Sequence, residues 1–417
     1  MSPGLDSRVG LRPPVERAKT PPVWLMGLTN ALFGMYGGIL VISVPQLLNA
    51  RQVPESTIAA MTAAMISPGF WTFLASPILD VRFSRRWYSV VTALLAAVLL
   101  ALALVNLDHL ELVEVLLISG FFFANLYQSA LGGWLSSIIS AAQEQRLSVW
   151  VTIGNISGGG LMAVITGEVV QRLSATAAAV ALATVVLLPT LVFPWMPAPG
   201  PERRLARESF RRFFGEVVHV LRRGEVLLAL VLFVAPAATF SLVNLLGGLG
   251  SDFNASTHFV GLVGGGGVVI AGIAGCLIFG FLGRLLPLRY LYLAIGATGS
   301  VFTLILIALP HTPPSFAVAL IGENVFQSIA ITASTAITFE TIGRSNPFAA
   351  TTYCLMVSAF NIANTYMLVI DGWGYAHGGL SGSYAVDAFV SLAASAVLAA
   401  LLLRISRRPA GAGLAAT

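Results

Sequence analysis

Two short strings, ANLYQS at residues 124–129 and ENVFQS at residues 323–328, carry the same order of polar side chains inside apolar segments. An offset of 199 residues pairs Asn125 with Asn324, and the aromatic, Gln and Ser positions that follow also match. Each string lies in the fourth long apolar segment of its half of the chain. The match predicts an internal repeat with both halves built on one plan, and only the second copy contains an acid.

The composition indicates a membrane protein with many spans. Hydrophobic residues make up 57% of the 417 residues and charged residues only 10%, and the mean hydropathy of +0.86 is far above that of soluble domains. A helix needs roughly 20 apolar residues to cross the ~30 Å hydrocarbon layer. Twelve segments meet this need, at 23–49, 56–79, 88–107, 112–140, 147–171, 175–196, 226–250, 258–282, 289–309, 315–340, 347–370 and 384–403.

The first span is too long for the apolar core of a signal peptide and has no convincing small-residue cleavage site, so it is expected to stay in the mature protein. Cys276 and Cys354 both fall within spans, where nothing favours a disulfide or a metal pair. We expect no metal and no cofactor.

The net charge of +5 matters less than the distribution of the positive residues. If the N-terminus is cytoplasmic, the cytoplasmic tails and loops contain 21 of the 23 Lys and Arg residues, and only Arg51 and Arg172 lie elsewhere. Cytoplasmic loops of membrane proteins are enriched in these residues. The distribution predicts a multi-pass protein of the cytoplasmic (inner) membrane with both termini cytoplasmic, surrounded by lipids, and argues against a nucleic-acid partner.

The polar segments divide the chain into two bundles of six spans. The segment 197–225 begins with Pro and Gly and continues with Phe210, Phe213 and Phe214 at roughly helical spacing opposite Arg211. It is either a short amphipathic helix on the cytoplasmic membrane surface or a plain basic hinge. The predicted divisions are a tail at 1–22, a bundle at 23–196, this linker, a second bundle at 226–403 and a tail at 404–417.

Two six-helix halves related by an axis along the membrane normal are the plan of major facilitator transporters, whose substrate site lies near the midplane between the halves. The string SPILDVRFSRRW at residues 76–87 resembles the signature loop between helices 2 and 3 of that superfamily. The resemblance implies that Asp80, Arg82, Arg85 and Arg86 form a gating latch, with the acid near a helix N-terminus of the other half. Ser76 replaces the usual Gly, and a loop that only sets topology is the alternative.

Glu323 is the most unusual residue in the predicted spans. It lies eight residues into its span, about 12 Å deep at 1.5 Å per residue, where an ionisable group costs a few kcal/mol and usually faces a cavity or a partner. No Lys or Arg lies at a similar depth in the predicted spans. We therefore predict that Glu323 binds and releases protons as the proton-coupling site. The alternative is a permanently protonated side chain, hydrogen-bonded to a neighbouring helix.

In the superfamily, the first and fourth helices of each half line the cavity, and the resemblance thus implies a set of cavity side chains. Asn30 belongs to this polar group. Amides both donate and accept hydrogen bonds, which suits carbonyl, hydroxyl or sugar groups better than a bare charge. Each of them alone could instead hold helices together. The candidate substrate-binding residues are Tyr36, Asn125, Tyr127, Gln128, Asn244, Asn324 and Gln327.

Spans 5 and 8 are rich in glycine, which lets helices approach closely. Helices 5 and 8 face each other between the halves in the superfamily, so these glycines are expected to form the surface on which the halves rock. They are Gly154, Gly158–Gly160, Gly261, Gly264–Gly267, Gly272 and Gly275.

Residues 320–360 resemble one branch of the superfamily, the AmpG-type muropeptide permeases and the related acetyl-CoA transporters. The resemblance rests on the Glu323–Asn324 pair, the small residues that follow it, and FAATTY at 348–353. Those permeases carry two aspartates in helix 4, where this chain has Gln128 and Gly132. Because both aspartates are absent, either this protein relies on Glu323 alone for coupling or it transports a different substrate.

Together these features predict an all-α, twelve-helix secondary transporter that functions as a monomer and moves a small polar organic solute by alternating access, with proton coupling. The alternatives are an uncoupled facilitator or exporter of the same fold and, from another class, a membrane sensor. No cluster of His or acids has metal spacing and no nucleophile stands beside a base, so an enzyme is not expected.

Overall fold

The computed structural model describes residues 21–81, 83–198, 218, 222–344 and 346–406. Within these ranges the regular structure is helical and contains no strand. The all-α fold class expected from the sequence is confirmed. Arg82, both tails and nearly all of the 197–225 linker lie outside the described residues, so the two interpretations of that linker stay open.

The first half contains six membrane helices. Helix α1 has a π-helical turn at Ile39–Ser43, and α2 and α6 end in 3-10 turns, at Ser76–Asp80 and Leu188–Trp195. The helices are α1 (Val23–Ala50), α2 (Glu55–Ile66, continued by Pro68–Trp71), α3 (Arg85–Val105), α4 (Leu110–Ile138), α5 (Glu144–Arg172) and α6 (Ala175–Leu187).

The second half repeats the plan with two interruptions. Helix α7 is broken into Gly224–Val234 and Leu242–Leu246, and α8 consists of Thr257–Leu262 and Val268–Leu282 on either side of a π-helical turn. The continuous stretch Ala349–Ser406 has non-helical dihedrals at Gly378 and Gly379, which separate α11 (349–377) from α12 (380–406). The remaining helices are α9 (Leu288–Leu306) and α10 (Pro313–Ile342).

The twelve predicted spans are thus accounted for. Nine described helices are long and apolar enough to cross a membrane by themselves, and one of them is the α11–α12 stretch. The shorter apolar helices Ala60–Leu74 and Gly224–Val234 mark the broken spans α2 and α7. Gly379 has φ +59°, which glycine adopts without steric cost, and this allows α12 to fold back directly on α11.

The two ends of the bundle differ in how closely the halves approach. We call them the Asp80 end, after the α2–α3 connection, and the Asp108 end, where Arg51 pairs with Asp108. At the Asp80 end Gln145 Nε2 donates to the Gly283 carbonyl at 2.8 Å, and Arg344 donates to the Ile139 carbonyl. Arg85 and Asp80 also make hydrogen bonds across the halves at this end, and Asn361 makes one near Gly69, halfway along α2. The molecule is therefore closed at the Asp80 end.

The predicted rocking surface is wrong for several of its glycines. A Cβ on Gly158 would meet the Ala31 carbonyl oxygen at 2.4 Å, so this part of α5 packs on α1 within its own half. Among the close contacts of these glycines, two cross between the halves. Gly160 meets Val269, and Gly272 meets Ile156. The prediction erred because glycine content alone does not show which helix approaches the glycine face.

Candidate functional site

A cavity of about 120 Å3 lies between the two halves. Helices α1, α4 and α5 line one side, and α7, α10 and α11 line the other. Its polar and aromatic wall consists of Asn30, Phe33, Gln128, Thr152, Asn155, Phe233, Ser334, Thr335, Thr338, Tyr353, Phe360 and Asn361.

The described wall of this cavity carries amides, hydroxyls and rings but no charged side chain. Asn30 Nδ2 donates to the Val151 carbonyl at 3.2 Å, while its Oδ1 is buried without a partner. Asn361 Nδ2 donates to the Gly69 carbonyl at 3.2 Å. The wall therefore sets amide and hydroxyl groups beside aromatic faces, as in sites for neutral polar ligands.

Of the substrate-binding residues expected from the sequence, Gln128 lines this cavity. Tyr36 and Tyr127 do not, because they point into the core of the first half. The Tyr127 hydroxyl donates to the Thr29 carbonyl at 2.7 Å, and its ring stacks on Phe193. Tyr36 packs against Gly120 and Phe121.

The repeated Asn residues have the same local role in both halves. Asn125 Nδ2 donates to the Phe121 carbonyl at 2.8 Å, and Asn324 Nδ2 donates to the Leu320 carbonyl at 2.7 Å, each four residues back in its own helix. Both side chains are buried. The sequence repeat is thus matched by equivalent hydrogen bonds. These amide groups donate to carbonyls of their own helices and do not line the cavity.

The repeated Gln residues differ. Whereas Gln128 lines the cavity, Gln327 Nε2 donates to the Phe240 carbonyl at 3.2 Å, at the break in α7. Asn244 lies just beyond that break, on the exposed side of Leu242–Leu246. Equivalent sequence positions have therefore diverged, one towards the cavity and the other towards the support of α7.

The break in α7 leaves carbonyl groups without helical partners, and neighbouring helices supply donors. The Tyr366 hydroxyl of α11 donates to the Val234 carbonyl at 2.5 Å, and Ser395 Oγ of α12 donates to the Ala237 carbonyl at 3.2 Å. Phe240, the acceptor for Gln327, has φ +52°, an uncommon conformation for a bulky residue. Irregular backbone at membrane depth is tolerated when protein groups satisfy it, as they do here.

Glu323 is fully buried and faces α9 instead of the cavity between the halves. Its Oε1 lies 2.6 Å from Thr303 Oγ1, while its Oε2 has no hydrogen-bond partner. Glu323, Asn324 and Gln327 therefore do not share one face towards the cavity. These three side chains contact α9, their own helix and α7 respectively.

Two further buried acids, which were not among the predicted site residues, lie in the second half. Asp371 on α11 accepts a hydrogen bond from Ser241 at the end of the α7 break. Asp387 on α12 is 3% exposed. Asp387 lies inside the predicted span 384–403, and Asp371 lies one residue beyond the predicted span 347–370. A search for acids near the ends of the spans would have found both.

Asp80 joins the halves at the closed end. Its carboxylate accepts from the backbone N–H of Ala350 and of Thr351, at 3.2 and 2.8 Å, and from Thr351 Oγ1 at 2.7 Å. These donors form the first turn of α11, where the helix dipole favours an anion. The implied latch thus has the expected contact, although its role in gating is a prediction that this contact alone does not test.

The basic residues of that loop are placed differently. Arg85 pairs with Asp80 at 2.9 Å and donates to the Pro347 carbonyl at 2.8 Å, so it joins the same contact. Arg86 lies over the Trp134 ring of its own half, 5.8 Å from the ring centroid. Among the described residues of the predicted latch, Asp80 and Arg85 therefore contact the segment that opens α11.

The architecture is that of a polytopic helical transporter with two pseudo-repeated halves and a cavity between them. Residues 26–346 match the Major Facilitator Superfamily, and the chain belongs to that superfamily. No curated protein matches it.

Solved structures show the same fold. The proton:xylose symporter XylE matches with TM-score 0.66 and 13% identity, covering 91% of this chain and 95% of that one. A variant of the E. coli fucose:proton symporter FucP matches with TM-score 0.67 and 15% identity, over 91% and 98%. A bacterial homologue of the iron transporter ferroportin, in its outward-facing state, matches with TM-score 0.63 and 14% identity, over 93% and 100%. At such identities the likeness establishes the fold alone.

Proposed function

We propose that this superfamily member is a secondary transporter that moves a small neutral polar solute, such as a monosaccharide, across the cytoplasmic membrane. The observation that carries the proposal is the uncharged wall of the cavity between the halves, with amides and hydroxyls beside aromatic rings. Amides can both donate to and accept from hydroxyl groups, and an anionic solute would find no cation there among the described residues.

The size and the comparisons support the same class of solute. The cavity volume of about 120 Å3 is smaller than the ~300–1,000 Å3 of drug-sized sites. Two of the similar structures are described as xylose and fucose symporters. The resemblance to muropeptide permeases adds amino-sugar compounds as candidates.

We propose alternating access as the transport mechanism. The contacts of Asp80, Arg344 and Gln145 join the halves at one end, and a transporter must break such contacts to expose its site on that side. With the orientation predicted from the positive residues, the closed end is cytoplasmic and the described conformation faces outward.

Proton coupling through Glu323 is supported by its contact with Thr303. Thr303 has one hydroxyl hydrogen and two acceptors in reach, the Gly299 carbonyl at 3.1 Å and Glu323 Oε1 at 2.6 Å. An ionised Glu323 accepts the hydrogen from Thr303. A protonated Glu323 can donate its own hydrogen to Thr303, which then donates to Gly299. The Glu323–Thr303 hydrogen bond therefore persists in both protonation states without movement of the backbone.

The test begins with a thermal-shift screen of the purified protein against D-xylose, L-fucose, amino sugars, peptidoglycan fragments, nucleotides and acyl-CoA compounds. The stabilising solute is then used in proteoliposomes. In Glu323→Gln, proton-driven accumulation should vanish while solute exchange survives, because the amide cannot release a proton.

The matched control is Glu168→Gln, since Glu168 is exposed and pairs only at the surface with Arg172. It should accumulate solute like the wild type. Accumulation that is unchanged in Glu323→Gln would mean that Glu323 is a structural, permanently protonated side chain and that coupling does not pass through it.

A further inference from the structure

Three buried carboxyl groups lie in the second half, one on each of its last three helices. Glu323 on α10 and Asp371 on α11 are fully buried, and Asp387 on α12 is nearly so. Each has one oxygen with no hydrogen-bond partner. Three half-satisfied acids in one bundle are costly for stability alone, which argues for a functional reason.

These acids lie close together in the bundle. Gly374 packs against Gly382 and Ser383, which places Asp371 and Asp387, each about one turn away, on facing stretches of α11 and α12. Asp371 also accepts from Ser241. The adjoining Phe240 packs on Gly299 of α9, one turn before Thr303, the partner of Glu323. Carboxyl groups that interact strongly in a low-dielectric site bind protons as a set, and their titration belongs to the set rather than to one residue.

An unpartnered hydroxyl points to the route by which protons arrive. Tyr384 on α12 is 2% exposed and its hydroxyl has no partner. It belongs to a buried cluster that contains Leu320, one turn before Glu323, and Phe253, the chain neighbour of Asp252. Asp252 lies at the Asp108 end, half-buried, and accepts a hydrogen bond from the Tyr375 hydroxyl at 2.6 Å. Tyr384 thus stands between the buried acids and a polar pair near the surface.

One further titratable group lies at the entry of that route, since the His311 ring packs on Phe253, beside Asp252. His377 lies exposed on Trp373 at the α11–α12 turn. Tyr292 of α9 packs edge-on against Phe233 of α7, eleven residues before Thr303.

One of the acids also contacts the helix that lines the solute cavity. Asp371 accepts from Ser241, at the end of the α7 break, and Phe233 on the same helix lines the cavity. An ionised Asp371 can only accept, whereas a protonated one can also donate. A change in its protonation therefore changes the hydrogen bond that holds the broken part of α7.

We propose that Glu323, Asp371 and Asp387 share exchangeable protons as one unit, loaded from the Asp108 end past Tyr384, and that Ser241 transmits their protonation state to α7. This inference rests on the proposed proton coupling and assigns two further residues to it. Protons suit the site better than a metal ion, because the described residues contain no group of three acid, His or Cys side chains at metal-binding spacing.

The test is an infrared titration of the protonated-carboxyl bands of the purified full-length protein, which requires no solute. In Asp371→Asn and Asp387→Asn, the band of the replaced acid should disappear, and the pH at which the remaining acids titrate should move by about one unit, as expected of coupled groups. Ser241→Ala keeps all three acids and should also move the titration, which keeps the test valid if an Asn variant fails to fold.

Asp108→Asn is the matched control, since Asp108 is 84% exposed, and it should leave the buried bands unchanged. Remaining bands that titrate as in the wild type would overturn the shared unit. Bands that respond at fixed pH when choline is replaced by sodium would overturn the assignment to protons. If the three acids titrate independently while wild-type proteoliposomes still accumulate solute with protons, only this inference is overturned. If wild-type proteoliposomes show no proton-driven accumulation of solute, the proposed function is overturned.

Discussion

At the scale of single residues, the Thr303 hydroxyl supports the ionised form of Glu323. Thr303→Val keeps the shape of the side chain and removes its hydroxyl group. A hydrogen bond to a charged group is worth about 1.5–3 kcal/mol and one between neutral groups about 0.5–1.5 kcal/mol. The difference of about 1 kcal/mol should make the ionised state roughly fivefold rarer. Proton-driven uptake in proteoliposomes should fall by a similar factor.

The control for that variant is Thr298→Val on the same helix. Thr298 is exposed and donates to the Ala294 carbonyl at 2.7 Å within α9, away from any acid. Its uptake should match the wild type. Equal uptake by the two valine variants would show that Thr303 does not support Glu323.

The sequence predicts that an acid lies within the membrane at residue 323, but it does not predict where the carboxyl group points. A span is recognised from its hydropathy, and its rotation depends on contacts with other helices. Asn324, one residue further, bonds to its own helix, while Glu323 bonds to α9. Gly378 and Gly379 fold α12 back on α11 and so place Asp371 and Asp387 on facing helices. The predicted spans leave room for a turn between residues 370 and 384, but they do not predict that these two acids face each other.

At the scale of helices, the break in α7 gives the two repeated Gln residues different roles. Gln327→Leu should leave the Phe240 carbonyl with only the longer bond from the Val243 N–H, at 3.4 Å, and lower the free energy of unfolding by about 1 kcal/mol. Gln128→Leu should change stability little and weaken solute binding, because Gln128 lines the cavity. Thermal unfolding with and without the stabilising solute measures both effects, and the reverse pattern would contradict the assignment.

The repeat in the sequence predicts that α4 and α10 are equivalent, and the bonds of Asn125 and Asn324 agree with it. It does not predict the break in α7, since the residues around the break are apolar enough to extend a span. Pro236 was the one local signal, because proline interrupts helical hydrogen bonding. The donors that make the break tolerable come from α10, α11 and α12, far away in the sequence.

At the scale of the whole molecule, closure depends on how closely α4 approaches α11. A Cβ on Gly133 would lie 2.7 Å from the backbone nitrogen of Ala350, and a Cβ on Gly132 would lie 2.4 Å from the Tyr353 ring. The contact of Asp80 with Thr351 is in the same region. These two glycines of α4, more than most of the glycines predicted on α5 and α8, allow the halves to meet.

Gly133→Ala should therefore shift the molecule away from the closed arrangement of the Asp80 end. The neighbour is backbone and cannot turn aside, and overpacking of this kind costs about 1–3 kcal/mol, which changes a two-state ratio by roughly 5–150-fold. Spin labels at Ala142 and Arg284, exposed on opposite halves of a cleft at that end, should report a longer-distance population. Gly167→Ala, whose Cβ would meet nothing within 4 Å, should keep the wild-type distances. If both alanine variants keep them, the α4–α11 contact does not limit opening, and the hydrogen bonds of Asp80, Gln145 and Arg344 hold that end closed.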